Sequence, residues 1–290
     1  MILVTGATGH FGKAAIGFLL EKGIPANQIS ALVRDPSKAT DLAAKGITLK
    51  VGDYNDYNSL VEAFKGTEKL LLVSSSDMNN RSSQHINAIR AAKEAGVKHI
   101  IYTSFQRKNE ISSPIQMISQ AHLDAEKEIK ASGMTYTILQ NGLYADGLPM
   151  FMGEKVLETG IFLPAGNTKA AFTVRNDIAE AAANIITGIG HENAIYQTAT
   201  NETNSYADVA SILSEITGKK VAYVDAPKEV FVETLTKAGV PAEYIGLFAG
   251  FSEAIKQGEF DFHNNDLERL LYRKPTSLKD YLKSVYAHLK

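Results

Sequence analysis

Three glycines near the start of the chain have the spacing of a phosphate-binding turn. Gly6, Gly9 and Gly12 follow a short β-branched run and precede an apolar-periodic stretch that ends at Gly23. A strand, turn and helix of this kind bind the pyrophosphate of a dinucleotide, with the helix amino terminus directed at the phosphates. Gly6 permits a tight turn, Gly9 the approach of the pyrophosphate, and Gly12 close packing of helix on strand. The residues predicted to contact a nucleotide here are Gly6, Ala7, Thr8, Gly9, His10, Phe11 and Gly12.

Charged side chains after the next two predicted strands bear on the choice of coenzyme. Arg34 lies 22 residues after Gly12, where NAD-dependent enzymes usually carry an acidic residue for the ribose 2′-hydroxyl. Its planar fork suits a 2′-phosphate, and Lys38 adds charge one turn later. A solvated arginine beside Asp35 is the alternative. Asp53 ends the third strand and either reaches the adenine or forms an Asx-type turn. The pattern favours NADPH.

Polar and aromatic residues also follow the fourth, fifth and sixth predicted strands. The carboxyl ends of parallel strands meet at one edge of the sheet, where ligands bind. Small hydroxyl side chains let a dinucleotide lie against the backbone, although they also cap helices and fill turns. Arg81 either reaches a phosphate or lies at the surface. The further predicted cofactor contacts are Ser74, Ser75, Ser76, Thr103, Asn141, Gly142 and Leu143. The predicted acceptor contacts are Phe105 and Tyr144, for which ordinary packing is the alternative.

The helix after the fifth strand lacks the Tyr-x-x-x-Lys pair of short-chain dehydrogenases. It carries His122 and Glu126, which are four residues apart and therefore share a helix face. They are a candidate proton-donating pair, with a partly buried structural pair as the alternative. Tyr286 and Lys290 match Tyr-x-x-x-Lys by letters, but their place in the last five residues indicates a chance match. The other histidines have no metal-ligand spacing, so no metal site is expected.

The composition excludes several classes of protein. The 290 residues are 44 % hydrophobic and 21 % charged, as in ordinary globular proteins. A net charge of −2 without blocks of like charge argues against nucleic acid or an anionic membrane as the main partner. Cysteine is absent, which excludes disulfides and thiolate nucleophiles. The first strand leaves no room for a signal peptide, and no apolar run reaches the roughly 18 residues of a membrane span. We expect a cytoplasmic protein.

Strand and helix periods alternate through the first half of the chain. Six βα units with right-handed crossovers predict an open parallel sheet with strand order 3-2-1-4-5-6. The predicted strands are 2–5, 29–33, 47–51, 69–73, 99–103 and 135–139. The predicted helices end near residues 23, 45, 64, 95 and 131.

The second half has a looser rhythm. Gly, Pro and aromatic residues interrupt 142–164, which predicts loop and short helix, while 171–174 and 194–198 predict strands. Helices then dominate, two of them after capping boxes at Ser205 and Ser277. We expect an α/β fold, a Rossmann-type doubly wound parallel sheet with a small, mostly helical C-terminal substrate lobe. The nucleotide domain would comprise 1–150, completed by about 171–199, and the lobe 151–170 and 200–290.

Several segments resemble the NmrA-like branch of the atypical short-chain dehydrogenases/reductases, in particular bacterial type-2 NAD(P)H:quinone oxidoreductases and triphenylmethane reductases. The segments that carry the resemblance are 5–9, 24–29, 33–39, 69–76, 95–98, 141–144, 173–177 and 218–221. The likeness implies NADPH held by the glycine turn, Arg34, the serines, the stretch around Asn141 and Arg175, and chemistry without flavin. The chain departs from its relatives at His10, where they tend to have Gln, and at Gln140, where they have Arg.

The missing Tyr-Lys pair fits one kind of reaction. Reduction of a ketone leaves a strongly basic alkoxide that benefits from a positioned acid. A hydroquinone anion is far less basic, and a cationic dye simply accepts hydride, so positioning of a flat acceptor against the nicotinamide suffices. Phe151, Phe248 and Phe251 are further candidate walls for a quinone or dye-like acceptor. We expect an NADPH-dependent quinone reductase, and the alternatives are a non-catalytic NADP-sensing regulator and a triphenylmethane dye or azo-type reductase. The chain is expected to be a monomer or homodimer.

Overall fold

The computed structural model describes residues 1–289, in which strands and helices alternate as far as Asn141 and helices dominate after Asp225. The strands are β1 Ile2–Val4, β2 Ile29–Val33, β3 Thr48–Val51, β4 Lys69–Leu72, β5 His99–Phe105, β6 Thr135–Asn141, β7 Leu143–Tyr144, β8 Ile161–Leu163, β9 Phe172–Thr173, β10 Ala194–Thr198 and β11 Tyr223–Asp225. The helices are α1 His10–Glu21, α2 Thr40–Ala44, α3 Tyr57–Phe64, α4 Arg81–Glu94, α5 Gln116–Ser132, α6 Leu148–Met152, α7 Val156–Thr159, α8 Arg175–Thr187, α9 Tyr206–Thr217, α10 Lys228–Lys237, α11 Ala242–Lys256, α12 Asp266–Leu271 and α13 Leu278–Tyr286.

A seven-stranded parallel sheet forms the centre of the molecule, in the order β10-β6-β5-β4-β1-β2-β3. The predicted order of the first six strands is confirmed, and β10 adds a seventh beside β6. The apolar run Leu70–Leu72 in β4 is fully buried, because a central parallel strand is covered by helices on both faces. The predicted Rossmann-type fold class is confirmed.

Two strands are longer than the sequence predicts, and this bears on the site. β5 continues to Phe105 and β6 to Asn141, and the two residues are paired in the parallel register. Polar and aromatic residues at these positions remain in the sheet because neighbouring strands supply backbone partners. Phe105 and Asn141 therefore lie on the sheet itself instead of in loops beyond it.

Two hydrophobic cores cover the two faces of the sheet. Alternate strand residues point to opposite faces, so Leu71 packs with α1 and α8 while Leu70 and Leu72 pack with α3, α4 and α5. α1 and α8 lie against one another on the first face. Each face of the sheet is therefore closed by its own helical layer, and the strand ends are left to form the site.

A third core belongs to the C-terminal region. Segment 142–164, predicted as loop and short helix, also contains β7 and β8, which pair with β9 and β11. Side chains from β8, α9, α11 and α13 build this core, which includes Phe231, Phe260 and Tyr286. The predicted division assigns α12 to the lobe. In the structure, Leu267, Leu270 and Leu271 of α12 pack with the α1 and α8 layer of the sheet.

Candidate active site

The glycine turn has the backbone geometry that its spacing suggests. Gly6 has a φ of +57°, in the left-handed region that favours glycine, and its carbonyl accepts from the Gly9 N–H at 2.9 Å. A Cβ at Gly12 would overlap that carbonyl oxygen and lie 2.9 Å from the carbonyl of Thr5. Within residues 1–289 no side chain caps the amino terminus of α1. Its first N–H groups are therefore free to bind an anion.

Arg34 follows β2 directly and is exposed. The neighbouring Asp35 is already engaged, since its carboxylate accepts from the Ser37 backbone N–H at 3.0 Å and from the Ser37 hydroxyl at 2.6 Å. These bonds lower the pKa of Asp35. Arg34 therefore forms no ion pair with Asp35 in the described part of the chain. Lys38 lies exposed in the same short 3₁₀ turn, so two cations flank the end of β2.

Asp53 makes the turn that the sequence offered as its alternative role. Its carboxylate accepts from the Asn55 N–H at 2.8 Å. Tyr54, which follows Asp53 shortly after the end of β3, makes less common contacts. Its buried hydroxyl lies 2.5 Å from the Thr5 hydroxyl and 2.7 Å from the Val73 carbonyl, and burial raises its pKa. Tyr54 thus fastens the ends of β1 and β4 beneath the glycine turn.

Two of the three serines connect β4 to its neighbours. The Ser74 N–H donates to the Thr103 hydroxyl at 2.8 Å, and the Ser75 N–H donates to His85 Nε2 at 2.9 Å. The Ser75 hydroxyl bonds to Gln84. Ser76 is exposed. The structure therefore brings Ser74 and Thr103 together at the sheet edge and ties Ser75 to α4.

A polar cluster lies where β6 and β10 end. Asn141 donates to the Tyr144 hydroxyl at 2.9 Å and accepts from the Thr198 hydroxyl at 2.7 Å. The Arg175 guanidinium lies 4.8 Å from the centre of the Tyr144 ring, and its Nε is sealed from solvent without a partner among residues 1–289. Gly142 is required here, because a Cβ would come within 2.9 Å of Ala199. The cluster combines a hydroxyl, an amide and a guanidinium with unused donors.

Leu143 completes this part of the predicted cofactor set. It lies in β7, where it pairs with Phe172 of β9. Its side chain packs against the lobe core, whereas Tyr144 packs against the core of the sheet. The stretch 141–144 therefore passes from the sheet to the lobe.

His122 and Glu126 share a face of α5 but enter different networks. Glu126 accepts a bidentate pair of bonds from Arg107, at 3.0 and 2.9 Å, and a third from the Ser104 hydroxyl at 2.5 Å. The Arg107 and Glu126 side chains are only 2 % and 5 % exposed. His122 instead places Nδ1 2.8 Å from the Tyr102 hydroxyl. Glu126 is a structural anchor, and Arg107 is the partner that sequence patterns did not identify.

Gln140 lies beside the Arg107–Glu126 anchor. Its amide nitrogen lies 3.4 Å from the Glu126 carboxylate. Arg107 supplies the positive charge for that carboxylate in this chain. Gln140 therefore lies beside a buried ion pair.

A buried trio of His85, Tyr102 and His122 lies beside that anchor. The Tyr102 hydroxyl is 3.1 Å from His85 Nδ1 and 2.8 Å from His122 Nδ1, and the three rings have centroids 5.5 to 5.8 Å apart. Burial lowers the pKa of His85 to about 4 and that of His122 well below its ordinary value, and it raises the pKa of Tyr102. Both histidines are therefore uncharged at neutral pH. Arg81, expected at a phosphate or the surface, is half-buried close to this trio.

The predicted acceptor residue Phe105 belongs to an aromatic cluster between sheet and lobe. Its ring stacks on His122 with centroids 5.9 Å apart and also contacts Phe251 and Phe260. We call the cluster the aromatic wall. Its members are Phe105, Phe151, Phe248, Phe251 and Phe260. The sequence did not predict Phe260 as a member, because its contact with Phe105 depends on the path of the chain after α11.

Four further features of the described residues do not belong to the candidate site: a groove, possible metal ligands, Tyr286 and the apolar character of the helices. A groove of about 460 Å³ lies between α10 and α11, and Pro114 also lines it. No cluster of three metal-ligating residues is found in residues 1–289. Tyr286, the tyrosine of the C-terminal Tyr-x-x-x-Lys match, is buried in the lobe core. Lys290, the lysine of that match, lies outside the described residues. No helix in the described part has both the length and the apolar character to cross a membrane.

Known proteins resemble the chain over its whole length. The profile of the NmrA-like family matches residues 1–282. Quinone oxidoreductase 2 of Escherichia coli (strain K12) is 37 % identical over 287 residues, which cover 99 % of each chain. The crystal structure of Citrobacter sp. triphenylmethane reductase complexed with NADP(H) superposes with a TM-score of 0.91 at 37 % identity, covering 98 % of this chain and 99 % of that one. The crystal structure of an Escherichia coli NADPH-dependent quinone oxidoreductase complexed with NADPH superposes with a TM-score of 0.90 at 36 % identity. The match covers 99 % of this chain and 100 % of that one.

Proposed function

Because this chain belongs to the NmrA-like family, we infer that it is an NADPH-dependent reductase whose acceptors are quinones or dyes. The observation that carries this proposal is the end-to-end similarity to two such reductases whose structures hold the cofactor. The residues of this chain agree with it, because its glycine turn and its free arginine lie where a dinucleotide would need them.

We propose that the cofactor lies along the strand ends, with its pyrophosphate at the amino terminus of α1. The free N–H groups of that helix supply donors without a charged side chain. Arg34 and Lys38 would hold the 2′-phosphate, since neither is paired with Asp35 in the described residues. Arg175 has an unused sealed donor and Asn141 is fixed by its neighbours, so these two residues fit the nicotinamide half.

NADPH, when bound, supplies hydride, which is two electrons with one proton. The chain's task is then to hold a flat acceptor at the strand ends and to limit water. The aromatic wall offers a partly exposed apolar surface beside Phe105, and Tyr144 lies beside Asn141. A quinone that receives hydride becomes a hydroquinone anion, and water supplies the second proton. Flavin-free transfer is part of this proposal.

The environment of His122 and Glu126, the predicted proton-donating pair, agrees with hydride transfer to a quinone or a dye. Glu126 is neutralised by Arg107, and the pKa of His122 is lowered by burial, so neither group is a proton donor at neutral pH. An alkoxide product would require a positioned acid, whereas a hydroquinone anion or a reduced dye does not. The site therefore suits acceptors whose reduced form is weakly basic.

The proposal is tested with purified chain, NADPH, a panel of benzoquinones and naphthoquinones, and a cationic triphenylmethane dye. We expect NADPH oxidation, followed by its near-ultraviolet absorbance, with at least one acceptor and no dependence on added flavin. A protein that binds NADPH but oxidises it with no acceptor would be an NADP-sensing regulator. A rate that appears only with flavin would contradict direct hydride transfer.

A further inference from the structure

The buried trio forms a continuous hydrogen-bonded chain that starts at a backbone amide. The Ser75 N–H donates to His85 Nε2 at 2.9 Å, His85 Nδ1 lies 3.1 Å from the Tyr102 hydroxyl, and that hydroxyl lies 2.8 Å from His122 Nδ1. α4, β5 and α5 each contribute one member. The chain thus connects the end of β4 to the far ring nitrogen of His122.

The first bond in this chain decides the direction of all the others. A backbone N–H can only donate, so His85 Nε2 is an acceptor and the ring proton lies on Nδ1. His85 Nδ1–H then donates to Tyr102, and the Tyr102 hydroxyl donates to His122 Nδ1, because a buried hydroxyl proton without an acceptor is costly. His122 therefore carries its proton on Nε2.

That Nε2–H is the open end of the chain. This N–H has no hydrogen-bond partner in residues 1–289, and its nitrogen keeps some contact with solvent. The His122 residue as a whole is only 4 % exposed. The ring lies against Phe105, which is part of the aromatic wall. A single donor with a fixed tautomer therefore keeps contact with solvent beside Phe105, which the sequence predicts to contact the acceptor.

The charges around the trio keep His122 uncharged. Burial is the largest effect, and the guanidinium groups of Arg81 from α4 and Arg107 after β5 add positive potential. The nearby Glu126 carboxylate is held by Arg107 and does not contact His122. An uncharged imidazole donates a hydrogen bond without delivering its proton, so the Nε2–H bond stays intact during a reaction.

We propose that His122, held by Tyr102 and His85 in the Nε2–H tautomer, donates a hydrogen bond to the carbonyl oxygen of a quinone acceptor and stabilises the oxyanion that hydride transfer creates. This rests on the proposed reductase function. Hydride adds both electrons and one hydrogen to the quinone, the oxyanion forms opposite His122, and water supplies the remaining proton. His122 is the catalytic residue, and Tyr102 and His85 are positioning residues.

The proposal separates two classes of acceptor. A quinone develops negative charge on oxygen, where a fixed donor stabilises the transition state. A cationic triphenylmethane dye accepts hydride on carbon and becomes neutral, so no oxyanion forms. His122 should therefore assist quinone reduction and leave dye reduction almost unchanged.

The test compares kcat/KM for a benzoquinone and a cationic triphenylmethane dye in the same variants. We expect His122→Ala to lower the quinone value by about 10- to 100-fold, at or below the usual effect of losing one oxyanion donor, with the dye value within a factor of about three. His122→Gln should recover part of the quinone rate, because its amide nitrogen reaches towards the same position. Tyr102→Phe should give a smaller, quinone-selective loss, because the tautomer is no longer fixed.

Ser119→Ala is the matched control, since Ser119 is buried on the same face of α5 without a hydrogen-bond partner in the described residues. It should leave both acceptors unchanged. Equal losses with quinone and dye in a folded His122→Gln protein would show a merely structural role and overturn the inference. Unchanged quinone kinetics in His122→Ala would also overturn it. A wild-type chain that reduces neither acceptor would contradict the reductase function itself.

Discussion

At the scale of single residues, Arg34 offers the clearest test of coenzyme choice. Its guanidinium is exposed at the end of β2 and Asp35 is bonded to Ser37 instead. A charge-assisted bond to a 2′-phosphate is worth about 1.5–3 kcal/mol. Arg34→Ala should therefore weaken NADPH roughly 10- to 150-fold and leave NADH nearly unchanged, as measured by titration of both coenzymes.

Lys45→Ala is a suitable control for this prediction, because Lys45 is an exposed cation at the end of α2. It should alter neither affinity by more than about twofold, since an exposed charge at a distance is screened by salt. Equal weakening of NADPH and NADH in Arg34→Ala would show that Arg34 supports the fold and does not contact the 2′-phosphate.

The Arg107–Glu126 pair predicts a large effect on stability. Both side chains are almost fully buried, so Glu126→Ala leaves a buried guanidinium without its carboxylate. Loss of one partner of a buried pair costs about 3–5 kcal/mol, which urea unfolding would detect. Glu128→Ala, two residues along α5, breaks a more exposed pair with Arg90 and should cost less than about 1 kcal/mol. Similar losses in the two variants would show that burial does not strengthen the inner pair.

At the scale of elements, α1 contains two glycines with opposite expected behaviour. A Cβ at Gly12 meets the backbone of Gly6 and Thr5, whereas a Cβ at Gly17 has no neighbour within 4 Å. Gly12→Ala should cost about 1–3 kcal/mol through overpacking and weaken NADPH binding, because α1 must move away from the turn. Gly17→Ala should stabilise the fold by about 0.5–1 kcal/mol, since alanine favours a helix.

Thermal or urea unfolding together with NADPH titration would separate these outcomes. Unchanged stability and cofactor affinity in Gly12→Ala would mean that the approach of α1 to the turn is not tight. The pair of variants is informative because both changes add one methyl group to the same helix.

At the scale of the whole molecule, the buried histidines make stability depend on pH. Burial lowers the pKa of His85 to about 4 and that of His122 well below its usual range. In the unfolded chain each returns to about 6.5, so the unfolded state binds more protons between about pH 4 and 6.5. The free energy of unfolding therefore falls as pH drops through this window, by about 2 kcal/mol for His85 at pH 5.

Urea unfolding at pH 5 and pH 7 measures this effect. His85→Gln should lose less stability between the two pH values than the wild type, by about 2 kcal/mol, whatever its absolute stability. His288→Gln, at an exposed position near the end of the chain, should retain the wild-type pH dependence. An unchanged slope in His85→Gln would show that His85 is not held neutral in the folded state.

The amino-acid sequence alone determined the features that depend on neighbouring residues. The glycine turn, the alternation of strands and helices in the first half and the place of Arg34 after β2 follow from local patterns. The order of the first six strands follows from that alternation together with the right-handedness of βαβ crossovers. The absence of a Tyr-Lys pair in α5 was equally readable, because that pair would lie within one helix turn. Family membership was also visible in the sequence, and the profile match confirms it.

Tertiary structure decided the contacts between distant segments. Tyr54 reaches Thr5 across 49 residues, Tyr102 meets His122 across 20, and Arg107 meets Glu126 across 19. No local pattern encodes these meetings, because each joins segments that are distant in the chain and come together only when the strands and helices pack. Burial then sets the charges, since removal from water lowers the pKa of a histidine and leaves an unpaired carboxylate too costly to keep. The sequence therefore determines which ionisable side chains are present. Packing decides that Glu126 and Arg107 form a buried ion pair, that His122 is an uncharged donor and that Arg34 is an exposed cation.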